Sequence, residues 1–194
     1  MPRLFGAKQL DNAATAIAAL EELQLRLPVT ATAIAAGLTR SFLPGRFQVI
    51  DPAPGREPRW ILDVAHNPAA AAVLADNLRA LPCEGRTFAV CGVLADKDAL
   101  SVVRALASSF DHWWLAGTTG PRGLADAQLA QRVGPVIPGR FSPGGSLAEA
   151  CAAARAAARP QDRIVAFGSF HSVGPVLDWL EKHSLVPAVA IPSL

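Results

Sequence analysis

Four short stretches of the chain end apolar runs on residues able to hold anions or hydroxyls. ILDVAHNP (61–68) closes on Asp63, His66 and Asn67, and LPGRFQ (43–48) carries Arg46. GVLADKD (92–98) ends on Asp96, Lys97 and Asp98, and FGSFHS (167–172) holds Ser169 and Ser172. A carboxylate at the end of a buried strand is costly unless something pairs with it. For Asp63 a pair of ribose hydroxyls, an arginine or a metal would each serve. Arg46 follows a Pro-Gly turn, and its forked, permanently charged guanidinium suits a phosphate; a surface ion pair is the equally simple alternative. The backbone N–H groups and hydroxyl around Gly168-Ser169 suit a carboxylate or phosphate. Structural readings stand beside these. Asn67-Pro68 is a favoured helix start, His66 alone fits a structural imidazole, Asp96 or Asp98 can cap a helix, and so can Ser172. The close grouping of Asp63, His66 and Asn67 favours a ligand.

The elements that must position these residues follow from periodicity. Apolar residues at Leu10, Ala13, Ala14, Ile17 and Leu20 predict a helix over 10–23, ended by Pro28, and a second helix covers 29–38. Pro44-Gly45 then marks a turn, and a domain boundary is placed near residue 40. Beyond it, strands at 46–51 and 59–65 flank the turn-rich DPAPGREP as a hairpin with a long loop. Strands at 87–93, 112–117 and 163–169 alternate with helices at 68–81, 98–110, 125–133, 146–159 and 172–183. Val136-Ile137 reads as a further short strand. The helix at 98–110 should bury Leu100, Val103, Leu106 and Phe110. This alternation predicts an α/β fold, a Rossmann-like, mostly parallel sheet with helices on both faces. Ligands in such sheets gather at the carboxyl ends of the strands, so the loops at 63–67, 94–97, 117–120 and 168–171 should meet at the site.

Composition excludes other classes. The 194 residues carry a net charge of +2 without a run of like charges, which argues against nucleic acid as a partner. No stretch approaches the about 18–20 apolar residues that span a bilayer, and the N-terminus lacks a signal-peptide core. The three cysteines show no CxxC spacing, so a zinc site is not expected, and a reducing cytoplasm fits them. There is no GxxxxGK[ST], no GxGxxG after the first strand and no GxSxG. Read from its residues alone, the chain is a small-ligand α/β domain without a phosphate-cradling loop of its own.

LPGRFQ, DVAHNP, GVLADKD, GPRG (120–123) and GSFHSV (168–173) occur together in an order that resembles the C-terminal part of the folylpolyglutamate synthases. The likeness is strongest to the bacterial bifunctional dihydrofolate synthase/folylpolyglutamate synthases of the Mur ligase superfamily. QLDNAATAIAAL (9–20) resembles the last segment of that family's central ATPase domain, although FGAK (5–8) departs from its PGxH-like lead-in. The resemblance implies two parts, a helical remnant of the ATPase domain over 1–40 and a C-terminal Rossmann-like domain over 41–194. It implies an ATP- and magnesium-dependent ligase that adds L-glutamate to dihydropteroate or to tetrahydrofolate polyglutamates through an acyl phosphate. Under it Asn12 contacts adenine, Arg46 the ATP phosphates and Asp63 the ribose, while His66 and Ser169 hold glutamate. Lys97 lies in a matching motif without an assigned role, and no catalytic or metal-binding residue is assigned. The family's P-loop, magnesium-binding acids and modified lysine belong upstream of residue 1. The chain should therefore be inactive without an N-terminal ATPase domain as its partner, with magnesium held mainly by that domain. Two alternatives stand beside this: a stand-alone nucleotide- or amino-acid-binding module, and a Mur-type ligase domain for a cell-wall precursor. LPGRFQ with GSFH favours the folate branch over the latter.

Overall fold

The computed structural model describes residues 2–52 and 55–186, so Ala53 and Pro54 of DPAPGREP and the tail from 187 lie outside it. Helices α1 (Lys8–Glu22) and α2 (Ala31–Arg40) come first, followed by strands β1 (Gln48–Ile50) and β2 (Arg59–Asp63). The chain then runs α3 (Pro68–Ala80), β3 (Thr87–Cys91), α4 (Ala99–Leu106), β4 (His112–Gly117), α5 (Asp126–Val133), β5 (Phe141–Ser146), α6 (Leu147–Ala157), β6 (Arg163–Phe167) and α7 (Phe170–Lys182). The six strands form one sheet in the order β1-β2-β6-β3-β4-β5. β1 pairs antiparallel with β2 as the expected hairpin, and every other pairing is parallel.

Burial of both faces explains why β3 and β6 are apolar throughout: each of their residues is buried. Alternate residues feed two cores. Ile61, Ala89, Cys91, Trp113, Leu115, Val165 and Phe167 pack with α3, α4 and α5. Trp60, Leu62, Phe88, Val90, Ile164 and Ala166 pack with α6 and α7 on the other face. Cys91 and Cys151 lie inside these cores, where burial pushes each thiol up to about 12, as small apolar residues would. No helix among the described residues is long and apolar enough to cross a membrane.

Several expected boundaries shift. Val136 belongs to a 3₁₀ turn, Gly134–Val136, and Ile137 is a fully buried plug rather than part of a strand. The fifth strand is FSPGGS (141–146), whose Pro and Gly hide it from a propensity reading. It survives because it is an edge strand, hydrogen-bonded only to β4 and with a register shift near Gly117, and an edge tolerates a missing N–H. α4 ends at Leu106 and buries Ala99, Val102, Val103 and Leu106, which leaves Leu100 exposed. α7 starts at Phe170, two residues before the expected Ser172.

At the sheet edge opposite the strand C-termini, Asp162 accepts the backbone N–H of Arg86 at 2.7 Å and of Arg159 at 2.8 Å, and pairs with the Arg86 guanidinium at 3.2 Å. Its side chain is 2% exposed, so Asp162→Ala leaves two N–H groups without an acceptor and should cost about 2–4 kcal/mol in urea unfolding. Burial pushes the Asp162 carboxyl up, but the two N–H bonds and the Arg86 charge outweigh it and hold it below its ordinary value of 3.8. A depressed acid stabilises the fold above its unfolded value. This pH-dependent contribution should therefore be lost as pH falls below about 4, and the variant's deficit should shrink accordingly.

α1 and α2 differ from the other five α-helices: neither buries a residue. The apolar stripe of α1 forms as expected, yet Leu10 is 49% exposed, and beyond the helix Leu25 and Leu27 are open to solvent. The pair is tied to the sheet through residues 2–6. The Arg3 N–H donates to Leu38 O at 3.0 Å, and the Phe5 ring stacks on Phe47 with centroids 4.7 Å apart.

Candidate functional site

The crossovers decide where this edge of the sheet is open. The chain leaves β2, β3 and β4 toward one face, into α3, α4 and α5, but leaves β6 toward the other, into α7. β6 lies between β2 and β3, so the loops diverge on both of its sides, the condition for a ligand crevice. The β6–β3 side is filled. A β-carbon on Gly168 would lie 2.0 Å from Gly92 O, and the Ser172 hydroxyl donates to that same oxygen. On the β2–β6 side Asp63 and Phe167 stand in register at the two strand ends, and the Gly45 turn packs against Val64 and Val173 beyond them.

Asp63, the last residue of β2, is half-buried. Its Oδ2 accepts the Phe47 N–H at 3.0 Å and its Oδ1 the Ala65 N–H at 2.8 Å. Burial raises its pKa above the ordinary carboxyl value, and those N–H bonds and nearby Arg46 offset this only in part. Arg46 reaches this corner because β1 runs antiparallel to β2, which brings the turn before β1 over the C-terminal end of β2. Gly45 sits at φ +70 and accepts the Val64 N–H at 2.8 Å, while its N–H donates to Gln48 Oε1 at 3.1 Å. A β-carbon there would meet Val173 at 2.9 Å, so only glycine fits the turn. Phe47 also has a left-handed φ, +45, which costs a non-glycine residue about 1–2 kcal/mol. Arg46 between them is exposed, and no hydrogen bond or ion pair of its guanidinium occurs among the described residues. A cavity of about 280 Å³ beside it is lined by Arg3, Phe5, Phe42, Arg46 and Phe47 among others.

His66 lies three residues beyond Asp63. Its Nδ1 is 2.8 Å from Val64 O, and since a carbonyl only accepts, Nδ1 carries the hydrogen. In the neutral ring Nε2 is then an acceptor, a role fixed by the backbone of the site itself. Asn67 takes the structural reading: extended at φ −141, it accepts the Ala70 N–H at 2.9 Å and starts α3 ahead of Pro68. Ser169 occupies the N-cap position of α7 without capping it, and its hydroxyl meets the Ser172 hydroxyl at 3.2 Å. Both hydroxyls are buried, so Ser172 packs the β6–β3 contact and is not the helix cap. Asp63 and Arg46 thus share one corner, with His66 on the loop that leaves β2 and Ser169 on the neighbouring loop that leaves β6. Asn12 lies apart on exposed α1, where its Nδ2 donates to Gln9 Oε1 at 3.1 Å.

The third loop is braced rather than open. Asp98 caps α4 by accepting the Ser101 N–H at 3.0 Å. Asp96 takes a forked bond from Arg122 of GPRG, at 3.0–3.3 Å, with Lys97 Nζ 3.5 Å away. The Ala95 N–H donates to Arg122 O, and Arg132 donates to Ala95 O, both at 3.0 Å. Sequence reasoning singled out GPRG but missed Arg122 as the partner of Asp96, because the two lie 26 residues apart. Thr118 was missed as well. Its buried hydroxyl donates to Val93 O and accepts the Leu124 N–H, joining the ends of β3 and β4, and the Thr118-Thr119 pair directly after a strand was the available signal.

The fold is an α/β domain with an acidic-basic corner at its strand ends. The family profile described as Mur ligase, glutamate ligase domain matches residues 45–170, and the chain belongs to that family. The dihydrofolate synthase/folylpolyglutamate synthase of Escherichia coli (strain K12) is 41% identical over 170 residues, 88% of this chain and 38% of the relative. The structure of E. coli FolC in complex with DHPP and ADP superimposes with a TM-score of 0.79 at 39% identity, covering 94% of this chain and 41% of that one. A bifunctional folylpolyglutamate synthase/dihydrofolate synthase with Mn, AMPPNP and L-glutamate bound gives 0.75 at 38% identity, over 89% and 39% of the two chains. The chain thus spans about two fifths of the length of the relatives it matches.

Proposed function

We propose that this chain is the C-terminal portion of an ATP-dependent ligase that joins L-glutamate to dihydropteroate or to folates. The observation that supports this most directly is the Arg46–Asp63 corner at the C-terminal end of β2, within a chain similar to enzymes solved with ADP or with AMPPNP and L-glutamate. ATP would supply the phosphoryl group that activates the acceptor carboxylate. Residues of this chain bind and orient. Arg46, exposed and without a partner among the described residues, neutralises phosphate charge. Asp63 accepts hydroxyls of the ribose. His66, through Nε2, and the hydroxyl of Ser169 hold the incoming glutamate. Catalysis of this kind rests on positioning and charge neutralisation, not on a nucleophile in the protein. Among the described residues no cluster of three His, Cys, Asp or Glu side chains is placed to hold a metal, so magnesium is assigned no ligand here. Division of the chain near residue 40, with α1 and α2 as part of an ATPase domain that carries Asn12 to the adenine, belongs to the same proposal. That neither helix buries a residue supports it.

The deciding experiment extends the chain with the reading frame upstream of Met1 and measures ADP release. A GTNGKGS-like P-loop in that frame and release that requires both L-glutamate and a folate are expected. In the extended protein Arg46→Ala should lower kcat/KM for ATP by on the order of 10²-fold, about 2.7 kcal/mol, with the melting temperature unchanged. ADP release independent of glutamate, or wild-type release by the variant, removes the proposal.

A further inference from the structure

We infer that Phe47 is a positioning residue for Arg46: its left-handed backbone, clamped by the Asp63 carboxylate and the Phe5 ring, holds the guanidinium at the C-terminal end of β2. This rests on the proposed role of Arg46 and adds two residues, Phe47 and Phe5, that the chemistry itself does not call for.

The inference starts from a cost. Phe47 and Ser184 are the non-glycine residues with positive φ among those described, and Ser184 follows the end of α7, where such a conformation is ordinary. A bulky residue keeps a left-handed φ only where its surroundings over-determine it, and such strain clusters at functional sites. Around Phe47 three constraints converge. Its N–H is held by Asp63 Oδ2 at 3.0 Å, its ring is 4% exposed in the core against α3, and Phe5 stacks on it at 4.7 Å and 18°. Gly45, equally left-handed at φ +70, is locked between Val64 and Val173. Arg46 is the residue between two fixed left-handed neighbours, so its backbone direction is set although its side chain is exposed. Glycine at 47 would relieve the strain but would remove the ring that anchors the turn. The acid that serves as ligand and the turn that presents the base are therefore one unit. The Phe5 contact also extends that unit to the segment leading into α1.

Two measurements separate this from a merely structural role and from failure of the functional reading. In the isolated chain, amide exchange at Phe47 should be at least tenfold faster in Phe5→Ala, while exchange in β3 and β6 is unchanged. Unaltered exchange at Phe47 overturns the clamp whatever the enzyme does. In the extended ligase a double-mutant cycle on kcat/KM for ATP pairs Phe47→Ala with Arg46→Ala, and Phe5→Ala replaces Phe47→Ala if the latter does not fold. A loss of about 10- to 50-fold in the Arg46 background that vanishes once Arg46 is alanine is the expected result. An equal loss in both backgrounds shows that Phe47 acts independently of Arg46 and overturns the inference. Should Arg46→Ala itself leave kcat/KM unchanged, the phosphate role falls, and with it the reason for positioning Arg46.

Discussion

Gly168→Ala is expected to be strongly destabilising for a single added methyl, costing about 3–7 kcal/mol. Gly168 follows β6 at φ +133, a conformation that L side chains rarely adopt. The added β-carbon would lie 2.0 Å from the oxygen and 2.7 Å from the carbon of the Gly92 carbonyl. Both are backbone atoms, so no rotamer change relieves the clash. β3 and β6 are held in register up to Cys91 and Phe167, immediately before the two glycines, which leaves little slack for separation. Backbone strain contributes about 1–3 kcal/mol and overpacking about 1–3 kcal/mol more. The Ser172 bond to Gly92 O is lost with them, at about 1 kcal/mol. For a domain of this size the melting temperature should fall by about 10–15 °C. Gly37→Ala is the internal control: it lies within α2 with nothing within 4 Å of the added carbon and should be neutral or mildly stabilising. A melting temperature for Gly168→Ala within about 2 °C of wild type would mean that the β3 and β6 loops separate freely, and that the β6–β3 side of the crevice is not closed by their contact.

Where sequence reasoning succeeded and where it failed follows from the range of the interactions involved. β3 and β6 were legible because strands buried on both faces must be apolar at every position. That the loops carrying Asp63, His66 and Ser169 follow neighbouring strands at one edge was legible too, since parallel strands put all their C-termini there. FSPGGS was not, because an edge strand needs hydrogen bonds from one side only and tolerates residues that propensity rejects. Ile137 looked like strand and is core, since an isolated apolar pair does not reveal its partners. The conformation of Phe47 and the pairing of Asp96 with Arg122 were out of reach because their causes lie 16 and 26 residues away, across strand ends that only the fold brings together. The stripe on α1 was read correctly as helix, but what covers it depends on more than the stripe itself. Pattern thus picked out the polar groups at the strand ends, and geometry the distant contacts that fix their backbone.

Asp63→Ala is expected to damage both stability and activity, and pH separates the two. Removal of the carboxylate leaves the Phe47 and Ala65 N–H groups without their acceptors, at about 2–4 kcal/mol. It also frees the turn that carries Arg46. In the extended ligase kcat/KM for ATP should fall by at least about 10²-fold, or 2.7 kcal/mol. The sign of the linkage is opposite to that at Asp162. Burial, only partly offset by the two N–H bonds and Arg46, raises the Asp63 pKa, so the folded chain binds this proton more tightly than the unfolded one. The stability contributed by Asp63 is therefore greatest below its unfolded value of 3.8 and declines as pH rises through the raised folded value. Asp63→Asn keeps one acceptor oxygen and does not titrate, so its stability relative to wild type should improve as pH rises from about 4 toward 7. A difference between the two that stays flat over that range would show that Asp63 is as well solvated folded as unfolded. A buried carboxylate whose charged form is disfavoured by its surroundings gains from added donors, and ribose hydroxyls are donors of this kind. Nucleotide binding should accordingly weaken as pH falls through the Asp63 titration in wild type, beyond the change caused by the nucleotide's own phosphates, and only the latter change should remain in Asp63→Asn.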